Sequence, residues 1–288
     1  MFKTTGKLAR LLLSASLACY ALSPGLPALA LEIDSSDESS ADAPIEDKWA
    51  LVVGISKFEN PSLNLQFPAK DATDFATYLT KEAHFAPDHV KLLTDEAATK
   101  EQILKLLGDS WLPRVAHPHD LVVIYVSSHG SPSTMDVCGT NYIVTHNTDP
   151  ESLYATGLPM QELTSAIKDR IHSDRIVVIL DACHSGSARA TKDLTLASNF
   201  DAESIAAGVG QMVICSSKPN QVSFESKRKQ NGVFTEQLLA GLRSKGEKTN
   251  MKDAFGKMKE GVESEVLADR GELQTPVMKM KWEGDDLV

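Results

Sequence analysis

The run Arg175-Ile-Val-Val-Ile-Leu-Asp-Ala-Cys-His-Ser-Gly186 constrains this chain more than any other stretch. Five apolar residues, Ile176 to Leu180, follow one another without a break, four of them β-branched, with polar residues on either side. Such a short run reads as a strand buried on both faces, as in a parallel sheet. It stops at Asp181, and Cys183 follows two residues later. Functional groups of open α/β sheets gather at the carboxyl ends of strands. A cysteine placed there is a nucleophile in search of a base.

The base is upstream. Asp120-Leu-Val-Val-Ile-Tyr-Val-Ser-Ser-His-Gly130 repeats the pattern of an apolar strand, small polar residues, then His129 and Gly130. His129 and Cys183 lie 54 residues apart in sequence. If the two strands are neighbours, thiol and imidazole share one edge of the sheet, a nucleophile-plus-base arrangement. His184 is the rival base, but neighbouring side chains of an extended chain point opposite ways. The bland reading of Cys183, an inert buried thiol, fits poorly with a strand end before a Ser-Gly turn.

The remaining segments alternate between strand and helix patterns. Trp49 to Ser56 is a first strand, in which Gly54 allows a close backbone approach. Pro68 to Thr80 is a helix with an apolar stripe of Ala72, Phe75, Ala76 and Leu79. Its first turn holds Asp71, where the helix dipole alone would favour a carboxylate. Val90 to Leu93 is a strand, and Thr99 to Leu107 a helix capped by Thr99 with Gln102 three residues on. Pro113 to Asp120 reads as a loop. Its His117 and His119 have no nearby carboxylate or cysteine to complete a metal site. Asn141 to Thr145 is a short strand, Pro159 to Ile171 a helix, and Gln211 to Cys215 a strand. Helices follow at Asn231 to Leu242 and Met251 to Leu267, then an edge strand at Thr275 to Met280 that tolerates Pro276. This alternation predicts one α/β domain, a mostly parallel sheet with helices on both faces.

Residues 1–30 carry Lys3, Lys7 and Arg10, an apolar run from Leu11 to Leu22 and a small-residue cleavage site at Ala28-Leu-Ala30. That is the pattern of a secretory signal peptide, with the mature protein exported to a periplasmic or extracellular space. Removing it takes the net charge from −10 to −13. So acidic a chain excludes nucleic acid as partner and stable association with an anionic membrane. Residues 31–47, rich in Ser, Asp and Glu, read as a disordered acidic linker. Three of the four cysteines survive cleavage, too few for a disulfide scaffold. Cys138 reads as a plain loop residue.

His129-Gly130 after one strand and Asp181-Ala-Cys-His-Ser-Gly186 after another resemble the caspase-like cysteine peptidases, in particular the metacaspase and bacterial caspase-homologue (orthocaspase) branch. The caspase signature has Gln-Ala-Cys with the histidine about 50 residues upstream; here Asp181 stands for the Gln. The resemblance covers about 49–243. It implies a three-layer caspase-like fold around a six-stranded sheet. The peptidase domain would span 48–284, with a large-subunit-like part at 48–186, a loop at 187–209 and a small-subunit-like part at 210–284. It implies a cysteine endopeptidase acting on protein or peptide substrates, in which Cys183 attacks, His129 moves the proton, and the N–H groups of Gly130 and Cys183 bind the oxyanion. Metacaspases cut after Arg or Lys, and by resemblance Asp71, Ser127 and Asp181 fall on the substrate-binding positions. A guanidinium wants a fixed carboxylate, although Asp181 alone would also suit a strand-end turn. Self-cleavage at Arg189 or Lys192, in the polar loop after the nucleophile, follows from the same preference.

Two departures stand out. Metacaspases carry Ser-Gly-His-Gly where this chain has Ser128 in place of the first glycine, which adds a side chain near the base. Many also need calcium, held by clustered aspartates, and no such cluster stands at the matching offsets; Ca2+ rests on the resemblance alone, and no other cofactor or metal is implied. The alternative from another class is a catalytically weak or inactive caspase-shaped interaction module, and replacement of His129 or Cys183 would have been its mark.

Overall fold

Strand β1 (Lys48–Gly54) lies between β2 (Val90–Thr94) and β3 (Leu121–Ser127), parallel to both. In this computed structural model, residues 44–182, 202, 212–219, 221–246 and 249–281 are described. β3 pairs in parallel with β6 (Arg175–Asp181), and β6 with β7 (Met212–Cys215). β8 (Val277–Met280) closes the sheet antiparallel to β7, giving the order β2-β1-β3-β6-β7-β8. Pro276 precedes this edge strand, so its missing N–H interrupts no ladder.

The unbroken apolar runs are explained by two cores, one on each face. From β3, Val122, Ile124 and Val126 enter one cluster, and from β6, Ile176, Val178 and Leu180 join them. Helices α2 (Lys100–Lys105), α3 (Leu112–Val115) and α5 (Met160–Arg170) cover this face through Ile103, Leu112, Leu163 and Ile167. The alternate residues Leu121, Val123, Tyr125, Val177 and Ile179 enter the other cluster. There α1 (Pro68–Lys81), α6 (Val233–Leu242) and α7 (Met251–Arg270) pack through Phe75, Phe234, Leu238, Met258 and Val262. Each fully buried side chain of this kind stabilises the fold by about 1.5–3 kcal/mol, so the two-layer cover holds the sheet through its apolar contacts.

Several local expectations shift. Pro113 does not begin a loop; it sits in the first turn of α3, where its absent N–H is harmless. Helix α2 ends early in a π-helical turn at Leu106–Ser110, although Thr99 caps it as expected by accepting from Gln102 N at 3.2 Å. Pro159 belongs to β5 (Leu158–Pro159), which pairs with β4 (Tyr142–Ile143) in a two-stranded ribbon; α4 (Leu153–Thr156) lies between them. α7 runs three residues beyond Leu267 to Arg270, where Gly271 at φ 68° closes it in the left-handed conformation. The chain is ordered before residue 48: Asp47 N donates to Asp120 Oδ1 at 3.0 Å, and Ile45 packs on the α1 face. The rest of the expected linker, residues 31–43, and the expected signal peptide lie outside the described residues.

Chain direction reverses around β1: the path leads from β1 to β2 on one side and then back to β3 on the other. Loops leaving the carboxyl ends of β1 and β3 therefore part in opposite directions and open a crevice between them. Gly54, the last residue of β1, lets α1 close in on this edge. A Cβ there would stand 2.2 Å from Pro68 O and 2.5 Å from the Ala72 Cβ.

Candidate active site

His129 stands two residues past the end of β3, in this crevice. Its ring is buried, and Nε2 lies 2.8 Å from Leu63 O. A carbonyl only accepts, so Nε2 carries the proton and Nδ1 holds the lone pair of the neutral ring. The Phe58 ring, 5.5 Å away between centroids, tilts against the imidazole. Both partners come from the loop after β1, which is fixed from several directions. Asp95 Oδ1 accepts from Ser56 N and Lys57 N at 2.8 and 2.9 Å, and Asn64 Oδ1 accepts from Phe58 N at 2.9 Å. Asp95 takes φ 48°, a left-handed conformation that Asp tolerates better than most residues. Leu63 ends a short 3-10 turn, and its buried side chain anchors the carbonyl from the other side.

Gly130 pairs with Ile143 of β4 in an antiparallel bridge. The flanking bonds run from Val144 N to His129 O at 2.9 Å and from Ser131 N to Tyr142 O at 2.8 Å. In that pattern the N–H of Gly130 points away from β4, so the ribbon does not consume it. Ser128 buries its hydroxyl by donating to Val144 O at 2.6 Å, and its φ is not positive. The added side chain thus ties the histidine loop to the ribbon, and no glycine is required at this position.

The partner strand is β6. Ser127 pairs with Asp181, and Ser128 N extends the ladder to Asp181 O at 3.2 Å. The strand leading to Cys183 therefore lies directly beside the strand leading to His129. Cys183, His184, Arg189 and Lys192 themselves lie outside the described residues. Of the cysteines among the described residues, Cys138 is exposed and Cys215 buried. His117 and His119 join no metal-binding group, and among the described residues no three or more His, Cys, Asp or Glu side chains form one.

Asp71, Ser127 and Asp181 are all fully buried at this same edge. Asp71 Oδ1 accepts from Asn231 Nδ2 at 2.9 Å, and both its oxygens share Gly232 N at 3.1 Å. Burial pushes the Asp71 carboxyl well above the usual range; the neighbouring Asp181 adds to the rise, and the Asn231 and Gly232 donors only partly oppose it. Asp181 accepts from Ser223 Oγ at 2.8 Å and from Thr235 Oγ1 at 3.3 Å. Because the Thr235 proton goes to Asp181, the Tyr125 hydroxyl is the donor in its 2.6 Å contact with Thr235 Oγ1. Burial, then Asp71 and Asp181, hold the Tyr125 phenol well above its ordinary pKa. Ser127 Oγ lies near enough to Tyr125 to act on it weakly but makes no hydrogen bond of ordinary geometry. The groups that raise Asp71 are burial and other carboxylates, which is the electrostatic setting a cation would relieve.

Reasoning from sequence missed the second layer of this site. Leu63 acts through a backbone carbonyl, which leaves no trace in residue type. Ser223, Asn231 and Thr235 are ordinary polar residues 42 to 160 positions from the carboxylates they hold. Thr235 sits inside the apolar pattern of α6, and Ser223 and Asn231 precede it without a pattern that marks them.

A doubly covered, mostly parallel sheet with histidine and cysteine motifs on adjacent strand ends defines a caspase-like α/β protein. The sequence model of the caspase domain matches residues 47–282, and the chain belongs to that family. Metacaspase-1 of Eremothecium gossypii is 28% identical over 159 residues, 49% of this chain and 32% of that protein. Metacaspase-1A of Aspergillus fumigatus is 28% identical over 154 residues, 48% of this chain and 35% of that protein. The match thus spans about a third of the length of these relatives. Among solved structures, a Geobacter sulfurreducens protein superposes with a TM-score of 0.57 at 18% identity, over 83% of this chain and 95% of that one. Caspase-1 from Spodoptera frugiperda gives 0.56 at 13% identity, over 83% and 89%. At these identities the structures speak for the fold.

Proposed function

We propose that this chain is a cysteine endopeptidase that cleaves peptide bonds after Arg or Lys. The observation that carries the reading is the in-register pairing of β3 with β6, which sets the approaches to His129 and Cys183 side by side. In this mechanism Nδ1 of His129 takes the proton of Cys183. The thiolate attacks the scissile carbonyl, and the N–H groups of Gly130 and Cys183 receive the oxyanion. The imidazolium, stabilised by the Leu63 carbonyl, returns its proton to the leaving amine. Water then hydrolyses the thioester with His129 again acting as base.

Asp71, in the first turn of α1, and Asp181, at the end of β6, supply negative charge for a basic side chain before the scissile bond, and Ser127 pairs with Asp181 at the end of β3. Two buried carboxylates would repel an aspartate at that position. The same preference makes Arg189 and Lys192 sites of self-cleavage. The acidic chain is exported by its first 30 residues, and its partners are protein or peptide substrates. Calcium has no donor set among the described residues, so no step is routed through it.

Fluorogenic peptides ending in Arg, Lys or Asp test the reading, with Cys183→Ala as control and calcium either present or chelated. Release from Arg and Lys peptides by the wild type alone is expected. Equal release by Cys183→Ala, or none from any peptide, refutes the protease; faster cleavage after Asp refutes the specificity. Unchanged turnover by an uncut chain refutes a need for self-processing.

A further inference from the structure

A cavity of about 610 Å³ opens at the opposite end of the sheet from His129. It lies between the C-terminal halves of α1 and α6, and its floor is Leu121, Val123, Val177 and Ile179. That volume falls in the range of small-molecule sites. Its walls are mostly apolar, and the charged groups on them are Lys48, Glu82 and Arg243. Arg243 is held by Glu82 in a bidentate pair at 2.6–3.1 Å, so those two charges cancel. Lys48 remains. Its ammonium donates only to Ala83 O, at 3.2 Å, and stands 5.8 Å over the Phe85 ring. No carboxylate among the described residues acts on it, in a chain whose net charge is −10.

A half-buried ammonium beside an apolar hollow is electrostatically unfinished. Burial without a counter-charge pulls the Lys48 pKa down. We propose that this cavity binds a small amphiphilic carboxylate, with a hydrocarbon body on the sheet floor between α1 and α6 and its anionic head on Lys48. The carboxylate supplies the missing counter-charge, and the chain fills volume that water occupies poorly among apolar side chains. The site is independent of the proteolytic reading and is tested by binding alone.

Decanoate, below its micellar concentration, is titrated calorimetrically into the full chain, with decanol as the uncharged probe. One saturable decanoate site is expected, with decanol binding about tenfold or more weakly, as a charge-assisted contact predicts. Ala83→Phe, which projects a ring from a half-buried position into the cavity, should abolish binding of both. Lys48→Met, which keeps the aliphatic stem, should reduce decanoate affinity to that of decanol. The proposal is overturned if wild type shows no saturable decanoate site, if decanol binds as tightly as decanoate, or if folded Ala83→Phe binds like wild type. Should either variant fail to fold, the wild-type comparison of the two probes decides.

Discussion

Asp71→Asn separates fold from function at the proposed specificity site. Asp71 Oδ1 accepts from Asn231 and Gly232, and an asparagine that keeps its oxygen there retains both bonds. Its amide replaces Oδ2, which shares only the Gly232 N–H. Because burial and Asp181 raise the folded-state pKa of Asp71 above its unfolded value, ionisation opposes folding. The associated stability is fully present below the ordinary carboxylate range and is lost as pH rises through the raised pKa. The variant escapes that loss. Against this stands the favourable charge in the first turn of α1, about 0.3–1 kcal/mol. The variant should therefore unfold within about 1 kcal/mol of wild type at neutral pH, and its stability relative to wild type should improve as pH rises. Turnover of Arg peptides should fall further. Losing one charged hydrogen bond to the substrate removes about 1.5–3 kcal/mol, or about ten- to a hundredfold in kcat/KM. Denaturant melts across pH and kcat/KM on Arg and uncharged peptides measure both. A variant destabilised by more than about 3 kcal/mol would show that the charge serves packing. Unchanged Arg turnover by a folded variant would remove Asp71 from substrate binding.

Three further substitutions probe the supports. Asp95→Ala, which frees Ser56 N and Lys57 N, should loosen the loop bearing Leu63 and lower kcat by about ten- to a hundredfold with little change in KM; Asp95→Asn should recover most of it in steady-state assays. Gly54→Ala forces a Cβ against Pro68 O and should destabilise the domain by about 1–3 kcal/mol in denaturant melts. Ser128→Gly, which restores the metacaspase residue, should lose about 1 kcal/mol by stranding Val144 O and leave peptide turnover nearly unchanged.

The strands were legible because burial on both faces demands uninterrupted β-branched runs, and Ile176 to Leu180 and Leu121 to Val126 have no other reading of that length. Gly54 was legible too, since a glycine at a strand end signals close approach. Helix ends were less so. Asn231 and Gly232 look like the first turn of α6, yet the helix begins at Val233: Gly232 is its N-cap with extended backbone, and Asp71 accepts from Gly232 N and from the Asn231 side-chain amide. Of the β4–β5 ribbon, β4 falls within the expected strand Asn141 to Thr145, whereas the two-residue β5, joined to it across α4, carries no periodicity of its own. Pro113 signals a break equally well before a loop or in a first turn, and only the burial of Leu112 decides for the helix. At the site, the chemistry-bearing types His129, Asp71 and Asp181 announce themselves, whereas the carbonyl and hydroxyls that orient them do not.

The most direct test is active-site labelling. A peptide ending in Arg and carrying a thiol-reactive ketone is incubated with the full chain, alongside the same reagent ending in Asp, and the adduct is mapped by mass spectrometry. The account predicts one adduct, on Cys183, formed by the Arg reagent and lost in His129→Ala. Labelling of Cys138 or Cys215 in its place, or equal labelling by the Asp reagent, would contradict it.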